Sequence, residues 1–187
     1  MNACRYVVCD PGGRFSSALP ERVFCTDKPI VCFELCVDYM PEIIFMVFIG
    51  ATFAQRSELL NLCELLRKNR ITCEIPIAAL LPNPHSELLQ QLCFHGTAYL
   101  RYPEGEEISA AYLDHIADRP GSPGQCAAEI QRICPYISYS PIDEIREMTT
   151  CGAYLNRLVL GKHILKSKCW NEEHRLCDNY LHPRKES

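Results

Sequence analysis

Four cysteines near the end of the chain have a spacing that suits metal ligation. They are separated by sixteen, seventeen and seven residues, and they are Cys134, Cys151, Cys169 and Cys177. Thiolates are the ligands of iron–sulfur clusters and of many structural zinc sites. A segment of this length buries little apolar surface, so a bound metal is a natural source of its stability.

Two metal centres fit these residues. A [4Fe–4S] cluster takes all four thiolates, and the Cys134-Pro135 pair is typical of ferredoxin ligation. A zinc ion instead takes Cys169, Cys177 and the intervening His174, with Cys151 or Cys134 as the fourth ligand. Neither spacing is the tight Cys-x2-Cys of the common motifs. Both alternatives stay open beside a third, in which the thiols are small buried apolar groups.

The composition restricts the class of protein. A chain of 187 residues with 48% apolar content predicts one main domain with a small appendage. The net charge of −4 argues against nucleic acid as a ligand. Nothing resembles a signal peptide, and the longest apolar run, Ile43–Ile49, is too short to span a membrane. We expect a cytoplasmic protein without membrane insertion, whose thirteen cysteines are reduced or bind metal.

Alternating strands and helices must position these residues. Arg5–Asp10 is a β-branched run that predicts a strand, and Ile43–Ile49 predicts a strand buried on both faces. Ile71–Leu81 and Thr97–Tyr102 predict two further strands. Repeated strand and helix units specify a parallel α/β sheet with helices on both faces.

The predicted helices lie between these strands. One follows Ser57, a second starts with Asn83 as the cap and Pro84 as the first helical residue, and Gly96 ends that second helix. Residues 11–40 are left unassigned, because the run that starts at Pro29 suits either a strand or a helix.

The chain divides at a stretch rich in proline and glycine. We predict an α/β domain over residues 1–119, a linker over 120–125, and a mainly helical, cysteine-rich C-terminal module over 126–187.

Three passages resemble the receiver domain of bacterial two-component response regulators. Pro41–Val47 is similar to the Pro-Asp-aliphatic run before the receiver phosphoacceptor. Glu64–Lys68 is similar to the following helix and Glu74–Leu80 to the fourth strand. Leu88–Pro103 is similar to the Ala-Gly-Ala-Asp-Asp-Tyr-Leu-x-Lys-Pro passage. The resemblance covers about the last three βα units and implies a CheY-like, flavodoxin-like fold.

The residues that carry receiver chemistry are missing from this pattern. The resemblance puts Val47 at the phosphoacceptor, Leu81 at the hydroxyl and Tyr102 at the lysine position. Asp10 is the one acidic residue at the place of the family's acidic pair, and one carboxylate holds Mg²⁺ poorly. Pro103 is retained, and the family has a cis bond there. The resemblance therefore implies a degenerate pseudo-receiver that is not an enzyme.

The tail resembles cysteine-rich C-terminal modules found in proteins of anaerobic and metal-reducing bacteria. It departs from them where Asp178 replaces a proline and Lys168 a tyrosine. We expect a non-catalytic signalling or scaffold protein that acts by protein–protein interaction, either with a partner or as a homodimer. Tyr99 and Tyr102 are candidates for the binding face. The alternative is an iron–sulfur redox protein or sensor.

Overall fold

The structure is a computed structural model that describes residues 4–15, 22–105, 107–118 and 124–184. Five parallel strands form the main sheet, and they are β1 (Tyr6–Cys9), β2 (Val23–Thr26), β3 (Ile43–Val47), β4 (Ile77–Leu80) and β5 (Tyr99–Arg101). The helices around it are α1 (Pro29–Tyr39), α2 (Phe53–Lys68), α3 (Ser86–Phe94), α4 (Ala110–Asp118) and α5 (Gln125–Arg132).

The strand order is β2-β1-β3-β4-β5, and every neighbouring pair is parallel. This is the order of flavodoxin-like doubly wound folds, in which the connections reverse direction between the first and third strands. The predicted parallel α/β class is therefore confirmed.

Alternate residues of the strands pack into two different cores, one on each face of the sheet. In β1, Val7 and Cys9 join the core under α1, α2 and α3, while Tyr6 and Val8 join the core under α4. All five residues of β3 are buried. Its unbroken apolar sequence follows from this cover, because a strand with helices on both faces has no solvent side.

Two predicted helix starts are wrong by a few residues. α2 begins at Phe53, ahead of Ser57, because Thr52 and Gln55 form a reciprocal capping box at its first turn. α3 begins at Ser86 because the ring of His85, and not Asn83, accepts a hydrogen bond from the helix backbone.

The unassigned region between residues 11 and 40 contains β2 and α1. Pro29 is the first residue of α1, a position where its missing N–H costs no hydrogen bond. Cys32 and Cys36 lie on the buried side of this helix and pack in the core. The run starting at Pro29 is thus a helix and not a strand.

The C-terminal region is less helical than predicted. It contains a three-stranded antiparallel sheet of β6 (Ile137–Pro141), β7 (Glu147–Cys151) and β8 (Leu158–Val159). Short helical turns follow, namely α6 (Lys162–Ile164), a π-helical turn (Leu165–Cys169), a 3-10 turn (Glu172–Leu176) and α7 (Asp178–Leu181). Polar residues on both faces of β6 and β7 hide the strand pattern in the sequence.

The C-terminal region packs directly on the main sheet. Gln125 of α5 donates to the carbonyl of Leu100 at 3.2 Å, and the Cys126 thiol donates to the carbonyl of Leu89 at 3.3 Å. Ile133 and Leu165 belong to the core under α3. Most of the predicted linker lies outside the described residues, and the domain boundaries stay a prediction.

Candidate functional sites

The residues at the receiver positions meet at one edge of the main sheet. Asp10 follows β1, Val47 ends β3, Leu81 follows β4 and Tyr102 follows β5. Because the strands are parallel, these positions all lie at the carboxyl edge, where ligands of doubly wound folds bind. We call this edge the carboxyl edge below.

The side chains at this edge offer little for phosphoryl chemistry. Val47 and Leu81 are fully buried aliphatic residues. Burial raises the pKa of Tyr102, so its phenol stays protonated at neutral pH. Its hydroxyl is buried and has no hydrogen-bond partner within the described part of the chain. The peptide bond before Pro103 is trans, so the cis bond implied by the receiver resemblance is absent. Trans is the isomer that most X-Pro bonds adopt.

Asp10 stabilises its own loop. Its Oδ2 accepts a hydrogen bond from the backbone N–H of Phe15 at 2.5 Å. Burial raises the pKa of this carboxyl group, and the amides of Phe15 and Arg14 partly offset the rise. The neighbouring Gly12 lets the loops after β1 and β3 touch, because a Cβ there would lie 2.4 Å from the carbonyl oxygen of Ile49. These contacts explain Asp10 Oδ2 without a metal, while Oδ1 is buried and has no hydrogen-bond partner in the described part of the chain.

The predicted metal ligands surround a single cavity. Cys134, Cys151, Cys169, Cys177 and His174 all line one space of about 210 Å³ in the C-terminal region. The backbone holds them there, since Cys134 N–H donates to the carbonyl of Cys169 at 2.8 Å and Cys177 N–H to that of His174 at 3.0 Å. We call this space the cysteine cavity.

Two thiols of the cysteine cavity, those of Cys134 and Cys169, have raised pKa values. Burial raises the pKa of Cys134, and it raises the pKa of Cys169 to about 11, with further increases from the neighbouring thiols. These shifts disfavour a reactive nucleophilic thiolate at these two positions. Metal binding here would release protons, because the ligands are thiolates.

His174 is buried in the wall of the cysteine cavity. Its Nδ1 lies 2.7 Å from the carbonyl oxygen of Asn171. A carbonyl only accepts, so Nδ1 carries the proton and Nε2 of the neutral ring keeps its lone pair. This tautomer leaves Nε2 as the ligand-competent nitrogen.

The side chains around the cysteine cavity are not arranged as a metal site in this structure. Over residues 4–15, 22–105, 107–118 and 124–184, no group of three or more His, Cys, Asp or Glu side chains is placed to hold a metal ion. Both the zinc and the iron–sulfur ligand sets therefore stay predictions. The remaining lining is largely apolar, with residues such as Ile137 and Leu160.

The sequence analysis did not predict a polar contact between the main-sheet region and the C-terminal region. The hairpin of β6 and β7 lies across the starts of α2 and α3, where Phe53 N–H donates to the carbonyl of Glu144 at 2.9 Å. Ser86 N–H donates to the hydroxyl of Tyr139 at 3.3 Å, and the ring of Tyr139 stacks on His85 at 3.7 Å. We call this contact the hairpin latch.

The charged residues near the hairpin latch are also less exposed than their sequence indicates. Arg56 belongs to a run of polar residues, 55–58, whose sequence is typical of a solvated surface. Its side chain is 16% exposed and pairs with Glu147 at 3.4 Å. Arg56 and Glu147 are ninety-one residues apart in the sequence, so no local pattern indicates this pair.

Comparisons with known proteins find similarity among solved structures. No family model matches the chain, and no curated protein matches its sequence. Among solved structures, the chain is similar to a response regulator from Desulfuromonas acetoxidans. The two are 20% identical with a TM-score of 0.44, and the match covers 62% of this chain and 94% of that chain.

Within the described ranges, no helix has both the length and the apolar character that crossing a bilayer requires.

Proposed function

We propose that this protein is a non-catalytic, receiver-like signalling or scaffold protein that works without phosphorylation, by binding another protein. The observation that supports it is the chemistry of the carboxyl edge, where Val47 ends β3, Leu81 follows β4 and Tyr102 follows β5. Phosphoryl transfer to a receiver needs a nucleophilic carboxylate, a cation and bound Mg²⁺. A valine, a leucine and a protonated tyrosine supply none of these.

The surface that binds the partner is expected to differ from the pair named in the sequence analysis. Tyr99 and Tyr102 are both half buried and pack against core residues. Partner binding therefore relies on exposed side chains elsewhere, for example Phe94, which is 85% exposed at the end of α3. A homodimer is one form of this proposal, and light scattering after size exclusion measures it.

Incubation with acetyl phosphate and Mg²⁺ tests the proposal. We expect no phosphoprotein after the reaction is denatured and washed, while an active receiver treated in parallel is labelled. A stable aspartyl phosphate on this chain would overturn the proposal.

A second candidate function is an iron–sulfur redox protein or sensor. It is favoured by the cysteine cavity, which brings the four thiols to one mostly apolar space. Cys134, Cys151, Cys169 and Cys177 would hold a [4Fe–4S] cluster, with His174 as an alternative ligand. Such a cluster supplies one-electron redox chemistry when bound. The chain itself provides a mostly apolar wall, which excludes water from the centre.

Metal analysis of protein purified without oxygen tests this second candidate. A cluster predicts iron and sulfide together with brown colour and broad absorption at about 400 nm. The Cys169→Ser variant should lose the colour, while Cys73→Ser, on the partly exposed turn after α2, should keep it. Colourless protein that contains zinc, or no metal, would exclude the cluster.

A further inference from the structure

A second cavity opens at the carboxyl edge, apart from the cysteine cavity. Its volume is about 450 Å³, within the range of small-molecule sites. The starts of α2 and α3 form one side, and β7, α6 and Trp170 form the other. Arg14 and Gly50, from the loops after β1 and β3, complete it at the point where the strand order reverses. We call it the edge cavity.

Positive side chains dominate the edge cavity. Arg14, Arg56 and Lys162 line it, against the single carboxylate of Glu147. Arg56 pairs with Glu147, whereas Arg14 and Lys162 are in no ion pair within the described ranges. The buried carboxylate of Asp10 interacts with Arg14 at longer range.

The position of Arg14 depends on a glycine. Gly50 has a φ of 76°, and a Cβ at this residue would lie 2.7 Å from Nε of Arg14. The guanidinium group therefore lies across the backbone of Gly50, at the cavity wall. Glycine is needed here both for its backbone conformation and for this close approach.

The polar atoms left without partners around the edge cavity are all donors. Arg56 Nε, His85 Nε2 and Trp170 Nε1 are buried, and none has a hydrogen-bond partner in the described structure. His85 is 8% exposed, and because its Nδ1 accepts from Leu88 N–H, its Nε2 carries the proton. Glu147 Oε2 lies 3.3 Å from this nitrogen without hydrogen-bond alignment.

Unpaired buried donors cost free energy, because they lose hydrogen bonds to water on burial and gain none in the protein. Three such donors and two cations without ion pairs call for a ligand that only accepts hydrogen bonds and carries negative charge. A phosphate group has both properties, and arginine recognises its oxygens well. Trp170 and Tyr139 add aromatic wall for the rest of the molecule.

We propose that the edge cavity binds a small phosphorylated molecule, non-covalently, with the phosphate group held by Arg14, Arg56 and Lys162. This proposal is independent of the proposed function. The protein could bind a partner without binding this ligand, and it could bind the ligand without a partner.

Titration of the full-length protein tests this proposal. Trp170 is the only tryptophan, so its fluorescence reports directly on the cavity. The probes are inorganic phosphate, ribose 5-phosphate and AMP, with ribose and adenosine as unphosphorylated controls. Equilibrium dialysis with labelled phosphate provides a readout that does not depend on fluorescence. We expect saturable binding of the phosphorylated probes that weakens as salt is added.

Matched variants distinguish binding in the edge cavity from non-specific electrostatic attraction to the protein surface. Arg14→Gln combined with Lys162→Gln removes two exposed cations without disturbing the core, and we expect binding to weaken by about tenfold or more. Lys68→Gln, which changes an exposed lysine paired with Glu64 on α2, should leave binding unchanged. Thermal unfolding of each variant reports whether it is folded.

Three results would overturn the proposal. They are no saturable binding of any phosphorylated probe, unchanged binding in the folded Arg14 and Lys162 double variant, and tighter binding of citrate than of every phosphate. The covalent assay of the proposed function is separate, because denaturation removes a ligand that is only bound in the edge cavity.

Discussion

The main sheet and the C-terminal region are stabilised in different ways. All residues of β3 and β4 are buried, and α2 alone has 16 residues. In the C-terminal region, β8 has two exposed residues and α6 has three residues. The first region has an apolar core on each face of its sheet, while the second has short elements around a cavity lined with thiols.

This difference shows where each region obtains its stability. Burial of apolar surface is sufficient for the sheet. The C-terminal region is supported by its contacts with the sheet. A metal centre in the cysteine cavity, if one is bound, would add a second support. The following predictions test this contrast, from the largest expected effect to the smallest.

Removal of metal should affect only the C-terminal region. If the four thiols of the cysteine cavity hold a metal centre, chelation or oxidative loss should abolish hydrogen-exchange protection in β6 and β7, because ligand binding is part of the folding free energy. The amides of β3 and β4 should keep their protection. Equal loss in both regions would show that the contrast is wrong.

Phe45→Ala should destabilise both regions. Phe45 is fully buried in β3 and packs edge-on against Tyr6, with ring centroids 5.4 Å apart. We expect a loss of about 3–5 kcal/mol in the free energy of unfolding, measured with urea. The exposed Phe94→Ala is the control and should change it by less than about 0.5 kcal/mol.

Tyr139→Phe should weaken the hairpin latch. The change removes the hydroxyl that accepts from Ser86 N–H and leaves the ring that stacks on His85. We expect a loss of about 1 kcal/mol, seen as faster hydrogen exchange at the start of α3. Tyr39→Phe, at an exposed tyrosine of α1, should have no effect. Unchanged hydrogen exchange in Tyr139→Phe would mean that the Tyr139 hydroxyl does not stabilise the hairpin latch.

His85 should make the hairpin latch sensitive to pH. Burial lowers the pKa of His85, while Glu147 and Glu87 oppose the shift and Arg56 adds to it. The folded state therefore binds the proton less readily than the unfolded state, whose pKa is about 6.5. Stability is complete above that pH and falls as the pH drops toward the folded pKa.

His85→Asn removes this titration and keeps a good capping residue. The difference in unfolding free energy between the wild type and this variant should change with pH below about 6.5 and stay constant above it. A constant difference across the whole range would contradict the assigned protonation of His85.

Much of the main sheet was predictable from local pattern. The apolar run at β3 and the leucine spacing of α2 specify a strand and a helix, because burial imposes periods of two and 3.6 residues. Helix starts were missed where the cap was unexpected, as with the ring of His85. β6 and β7 were missed because their stability comes from pairing and not from an apolar face.

The sequence by itself determined the parallel α/β class, the residue types Val47, Leu81 and Tyr102 at the positions that the receiver resemblance compares, and the candidate ligands in the tail. These follow from residue types and local order. Only the tertiary structure decided that the four thiols and His174 share one cavity, and that Arg14, Arg56 and Lys162 converge at the carboxyl edge. Those groups come from distant parts of the chain, and no local pattern encodes which long-range contacts the packed cores will form.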